Sequence, residues 1–180
     1  MSGHSKWANI KRKKEVTDSK RSKVFSKMSR VISVAARTGP DPESNAPLRL
    51  AVERARDARM PRENIDKAIQ KGSGQGGEGV FFEAIYEGYG PHGEAFYISA
   101  LTDNKNRTVA EIRNIFSKFG GSLGGAGSTA YIFQPDPENP SFNLEIDDIS
   151  QAHKLTNLLE ELDDHDDVQD VYVNFVLPEE

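Results

Sequence analysis

Between positions 72 and 79 the chain reads Gly72-Ser73-Gly74-Gln75-Gly76-Gly77-Glu78-Gly79. Glycine loses the most backbone entropy on ordering and brings no side chain to a core, so such a run separates packed segments rather than joining them. The hydrophobic period changes from helical to alternating across it, and so does the sign of the charge. Residues 1–71 hold 18 basic and 8 acidic side chains (net +10), and residues 72–180 hold 5 and 20 (net −15). The organisation expected is a basic helical domain over 1–71 with a flexible N-terminal tail, a linker over 72–79, and an acidic α/β domain over 80–180.

The asymmetry is steepest at the start. Ten of the first thirty residues are lysine or arginine, opposed by Glu15 and Asp18, although the whole chain carries −5. A polyanion is attracted to that end and repelled from the remainder. The absence of cysteine excludes disulfides, thiolate nucleophiles and cysteine-ligated zinc or iron–sulfur sites. No apolar stretch approaches the roughly 18 residues of a membrane span, and the basic N-terminus lacks the apolar core of a secretory signal. A soluble cytoplasmic protein without membrane partners is expected.

From Asp18, a good N-cap, the residues Val24, Phe25, Met28, Val31, Ile32, Ala35 and Ala36 recur at helical spacing until Gly39-Pro40. At 100° per residue they fall within about 20–160° of Lys20, while Lys23, Lys27, Arg30 and Arg37 lie at about 260–340°. One face is core and the other cationic. A second helix is predicted from about Pro47, with Leu48, Ala51, Val52, Ala55 and Ala58 on one stripe, and a third over Pro61–Lys71, with Ile65, Ala68 and Ile69 inward and Gly72 ending it.

Beyond the linker, alternating segments predict strands at Phe81–Tyr89, Ala95–Thr102, Thr129–Phe133, Phe142–Ile146 and Val171–Phe175. Two helices interrupt them: one opening on a capping box, Thr108-x-x-Glu111, and one starting near Asp147 or Asp148 and burying Leu155, Leu158, Leu159 and Leu162. The fold class is α+β. Leaving aside the first strand, the order β-α-β-β-α-β is the ferredoxin-like one, with a mainly antiparallel sheet.

The segment Ser5–Lys14 sets the sole tryptophan among cations. Lysine and arginine neutralise phosphates, and an exposed indole stacks on unpaired bases. The plainer alternative is a solvated tail whose Trp7 and Ile10 dock on the helical domain. The candidate nucleic-acid-binding residues are Lys6, Trp7, Asn9, Lys11, Arg12, Lys13, Lys14, Lys20, Lys23, Lys27 and Arg30. Lys105 and Arg107 join them, in the polar corner Thr102–Thr108 where a strand feeds a helix N-terminus, a natural anion site.

Other signals point to turns. Gly72-x-Gly74-x-x-Gly77 has the dinucleotide-fingerprint spacing but ends a helix and precedes a strand, the reverse of the required context. The run Gly120–Ser128 joins a helix to a strand; its backbone N–H groups serve either a permissive turn or a phosphate contact. Asp163-Asp164-His165-Asp166-Asp167 lacks the spaced ligands and glycine of an EF-hand and reads as a solvated turn. No catalytic motif, cofactor fingerprint or metal-ligand spacing stands out, so a non-enzymatic protein without small-molecule substrate is expected.

Several stretches resemble the YebC family: Gly3-His4-Ser5-Lys6-Trp7-Ala8-Asn9-Ile10-Lys11, the helix ending Ala35-Ala36-Arg37, Met60-Pro61-x-x-Asn64-Ile65 with Ala68-Ile69-x-Lys71-Gly72, Tyr86-Glu87-Gly88-Tyr89-Gly90-Pro91, Thr102-Asp103-Asn104-x-Asn106-Arg107-Thr108 and Asp167-Val168-Gln169-Asp170-Val171-Tyr172. They span nearly the whole chain in order. The resemblance implies a helical N-terminal domain, an α/β remainder, and control of gene expression without catalysis, whether on promoter DNA or at the ribosome. Typical members insert a further α/β domain after the segment matching Thr129–Phe133. Here the loop Gln134–Ser141 bridges that point, which implies a reduced, two-domain form. The expected function is a DNA-binding transcriptional regulator; the alternative is a translation factor bound to ribosomal RNA. In either case the acidic domain faces basic ribosomal proteins or the transcription machinery.

Overall fold

The computed structural model describes residues 6, 18–75 and 80–178. The chain divides into a helical unit, residues 15–82 with 101–103, and an α/β unit, residues 1–14, 83–100 and 104–180.

The helical unit is built from α1 (Asp18–Ala36), α2 (Ala46–Asp57) and α3 (Arg62–Gly72). The first helix buries only the lower part of its expected stripe. Ile32 and Ala36 are in the core, Phe25, Met28 and Ala35 pack against it, and Val24 and Val31 are exposed. Leu48, Ala51, Val52, Ala55, Met60, Ile65 and Ala68 complete the cluster. Asn45, rather than Pro47, sets the start of α2. Its side-chain oxygen accepts from the Leu48 amide (3.1 Å), while its amide nitrogen donates to the carbonyls of Ala35 and Gly39 (both 2.8 Å). One buried side chain thus caps α2 and ties down the end of α1. Pro61 is the N-cap of α3, not its first residue. Gly72 is the last residue of that helix, with Ser73 its C-cap, and it is glycine for a steric reason: a Cβ there would stand 2.1 Å from the Ser33 carbonyl oxygen, so α1 and α3 approach through a position that tolerates only hydrogen.

The α/β unit runs β1 (Phe82–Tyr89), β2 (Ala95–Thr102), α4 (Lys105–Lys118), β3 (Ser122–Leu123), α5 (Ala130–Phe133), β4 (Leu144–Glu145), α6 (Ile149–Asp164), β5 (Val168–Val173) and β6 (Phe175–Val176). Among the described residues the strands form one sheet in the order β3-β1-β2-β5 and a parallel pair, β4 with β6. Antiparallel register sets Phe96 opposite Val173 and Ile98 opposite Val171, so the period-2 stripes of both strands share a face. Against it lie Ile112, Ile115 and Phe116 of α4 and Leu155, Leu158, Leu159 and Leu162 of α6. Phe96 sits at the centre, edge-to-face with Phe116 (5.2 Å) and Phe175 (5.6 Å).

The α+β class and the mainly antiparallel sheet stand as expected, but the middle strands of the expected order change. Thr129–Phe133 is not a strand. Ile132 and Phe133 are both buried and Tyr131 is exposed, a pattern that alternation cannot produce and that a helical turn does. Phe133 meets Tyr97 at 5.7 Å, and Ile132 packs with Ala95. The strand over Phe142–Ile146 contracts to Leu144–Glu145, leaving Phe142 exposed beside Tyr131. The loop 134–141 between them is drawn closed by Ser141, whose amide donates to the Ile132 carbonyl (2.8 Å) and whose hydroxyl donates to that of Tyr131 (2.7 Å). The predicted capping box does not form either: Asn104 caps α4, accepting from the Arg107 amide (3.1 Å), and Thr108 lies one turn inside the helix. Asp148 caps α6 as expected, accepting from Gln151 (2.7 Å).

Candidate nucleic-acid interface

The cations of α1 recur at spacings of three and four residues, which on a helix is one face. Lys20 and Lys23 are exposed; Lys27 and Arg30 are half-buried. At Arg30 the helical unit concentrates charge around an aromatic ring. The Arg30 guanidinium lies 4.8 Å from the centroid of Phe81 and the Lys71 ammonium 5.1 Å from it. Arg30 also donates to the Leu101 carbonyl (2.8 Å), and Arg37 to the carbonyl of Phe81. An aromatic face attracts cations electrostatically and so holds two side chains that would otherwise spread into solvent. Phe81 and Lys71 are not singled out by composition or charge counting; their signal is the Phe81-Phe82 pair that follows the glycine run and the basic last turn of α3.

Trp7, Asn9, Lys11, Arg12, Lys13 and Lys14 lie outside the described residues. Lys6 is placed against β5, forming an antiparallel bridge with Tyr172 and an ion pair with Asp170 (2.8 Å). Burial alone would lower its ammonium pKa, but the Asp170 carboxylate beside it offsets this and raises it above the usual lysine value.

The corner at the start of α4 is bonded into the α/β unit. Asp167, 2% exposed, receives the Arg107 guanidinium at 3.0 Å and the Thr108 hydroxyl at 2.7 Å. Arg107 is therefore turned toward its own domain's carboxylate, while Lys105 stands exposed at the first position of α4. Nearby, His165 Nδ1 accepts from the Asp167 amide (3.1 Å) and its Nε2 faces Glu111 at 2.8 Å. Ligand atoms of Glu111, His165 and Asp167 lie within 4.8 Å of one another, with Arg107 supplying positive charge at the same carboxylate. Two residues of the aspartate-rich turn, His165 and Asp167, are thus bonded to side chains of α4. In the second glycine run the Glu87 carboxylate accepts from the amides of Gly127 and Thr129, so these N–H groups meet an internal anion.

The predicted residues therefore separate. Those of α1 share one helix face in the helical unit, whereas Lys6 and Arg107 hold carboxylates of the α/β unit. No helix of the described residues is long and apolar enough to cross a membrane.

Comparison with known proteins matches residues 5–75 to the TACO1/YebC protein N-terminal domain and residues 81–136 to the TACO1/YebC second and third domain. A "Probable transcriptional regulatory protein" of Halothermothrix orenii is 39% identical, the alignment covering 100% of this chain and 97% of that one. It runs over 246 positions against 180 residues here, so at least 66 of them (246 − 180) have no counterpart in this chain. A protein of the same description from Synechococcus sp. is 52% identical over 161 residues, 89% of this chain and 64% of that one. The crystal structure of a conserved hypothetical protein, Aq1575, from Aquifex aeolicus superposes with a TM-score of 0.86 at 37% identity, covering 97% and 98% of the two chains. The match of the second and third domain stops at Asp136, inside the loop 134–141. The chain belongs to the TACO1/YebC family.

Proposed function

We propose that this protein is a non-catalytic regulator of gene expression that binds DNA through its basic N-terminal third. The observation that carries the reading is the segregation of charge, +10 over residues 1–71 and −15 over the rest. Such a chain presents one end to phosphates and turns the other away. The relatives described as probable transcriptional regulatory proteins support transcription as the setting. If about six cations of the tail and α1 engage duplex DNA, the log–log dependence of affinity on salt has a slope near −5. Reversing the charges of Lys11, Arg12, Lys13 and Lys14 is expected to abolish most binding. Unchanged affinity for both DNA and RNA would sink the proposal.

The −15 of the remainder favours a second reading, a factor docked on the ribosome with its basic end on ribosomal RNA and its acidic domain toward basic proteins. Co-sedimentation with ribosomal subunits that survives DNase favours this alternative; absence from those fractions favours DNA.

A further inference from the structure

Two helix stripes of identical spacing face each other in the helical unit. Ser26, Ser29, Arg30 and Ser33 lie at i, i+3, i+4 and i+7 on α1, and Asn64, Lys67, Ala68 and Lys71 at the same offsets on α3; together they line a solvent-open cleft of about 380 Å³. That volume is within the roughly 300–1,000 Å³ typical of sites for small ligands or ligand fragments. The floor is closed where the Ser33 hydroxyl donates to the Ala68 carbonyl (2.9 Å), and Phe81 forms a wall. None of the lining residues is acidic, although the chain as a whole carries −5.

We propose that this cleft receives a backbone phosphate of a nucleic-acid strand. Three cations supply the charge, and two serine hydroxyls with the Asn64 amide supply neutral donors of the kind that meet phosphate oxygens. Cationic ligands are repelled, and an apolar ligand would leave those donors dry and unpaired. The ring of Phe81 fixes Arg30 and Lys71 at the rim, so less side-chain freedom is lost when an anion arrives. The same cations cover the ring, which argues against base stacking and for contact with the sugar–phosphate backbone. Recognition here is therefore indifferent to base sequence. Lys67 pairs with Glu63 at 2.6 Å, but that contact is an exposed i,i+4 pair on one helix, open to screening by water and salt, and a phosphate competes for the ammonium.

The inference rests on the nucleic-acid reading and is tested separately from it. Amide NMR of the full chain is titrated with a ten-nucleotide single strand, as DNA and as RNA of two unrelated sequences, and in parallel with AMP and with inorganic phosphate. Saturable shifts at Ser26, Ser29 and Asn64 are expected with every strand. Lys67→Glu, at a side chain 68% exposed, is expected to weaken strand binding about tenfold and lower the salt slope by about 1, while Lys67→Arg retains both. Wild-type strand affinity in Lys67→Glu with no shifts in the cleft overturns the site and leaves the nucleic-acid reading standing. Shifts with AMP or phosphate but with no strand overturn the strand assignment in favour of a free phosphate ligand, and failure of every probe overturns the site altogether.

Discussion

Glu87 and Thr129 meet twice: one carboxylate oxygen accepts from the Thr129 amide at 3.1 Å and from its hydroxyl at 2.6 Å, while the other accepts from Gly127. A glutamate 5% exposed is thus satisfied by N–H and O–H donors from a glycine-rich loop. Glu87→Gln retains the shape but turns an NH₂ group toward at least one of these donors. A loss of about 1–3 kcal/mol is expected in urea unfolding. An unchanged midpoint would mean that the loop holds its path without the charge.

Gly72→Ala tests the contact between α1 and α3. The added carbon would meet the Ser33 carbonyl at 2.1 Å, and backbone cannot rotate away as a side chain can. Separating the helices costs about 1–3 kcal/mol or more. The expected readout is a lowered thermal midpoint together with shifted amide resonances in both helices; a midpoint within a degree of the parent contradicts it.

Removing the guanidinium of Arg107 takes a charged donor from the buried Asp167, whose carboxylate also accepts from the Thr108 hydroxyl. Because Arg107 is itself 43% exposed, solvent screens part of the loss, and about 1–3 kcal/mol is expected for Arg107→Ala by chemical denaturation. Nucleic-acid affinity should change little, since this arginine is held by its own domain. A large fall in affinity without a fall in stability would assign it instead to the ligand.

Tyr89 ionises late. Burial, followed by its hydrogen bond with Tyr131 and the charge of Glu87, pushes its hydroxyl up to about 12. A tyrosine whose folded value is raised favours folding fully below the ordinary value of about 10, and that contribution is lost as pH climbs toward 12. Absorbance at 295 nm should show a phenolate step near pH 12 that disappears in Tyr89→Phe; five tyrosines all titrating near 10 would refute it.

The helices of the basic half are legible because each carries a long apolar stripe and a recognisable stop. The core strands β2 and β5 are legible because strict alternation puts Phe96 and Ile98 opposite Val173 and Val171. The losses have local causes. At Thr129–Phe133 five residues fit both periods, and tertiary burial of Ile132 beside Phe133 decides for the helical turn. At α4, Asn104 and Thr108 both qualify as caps, and Thr108 is claimed by Asp167, a partner 59 residues away. The charged segments are visible as composition, but the pairing of Lys6 with Asp170 or the gathering of Arg30 and Lys71 on Phe81 depends on contacts that no window of sequence contains.

Ser141 joins the far end of the loop 134–141 to Ile132 and Tyr131 at its near end. The two ends therefore stand side by side, held by bonds that do not involve the residues between them. Such a junction works as a splice point: any folded cassette whose own termini lie close together can be carried there or dropped without disturbing the flanking turn and strand.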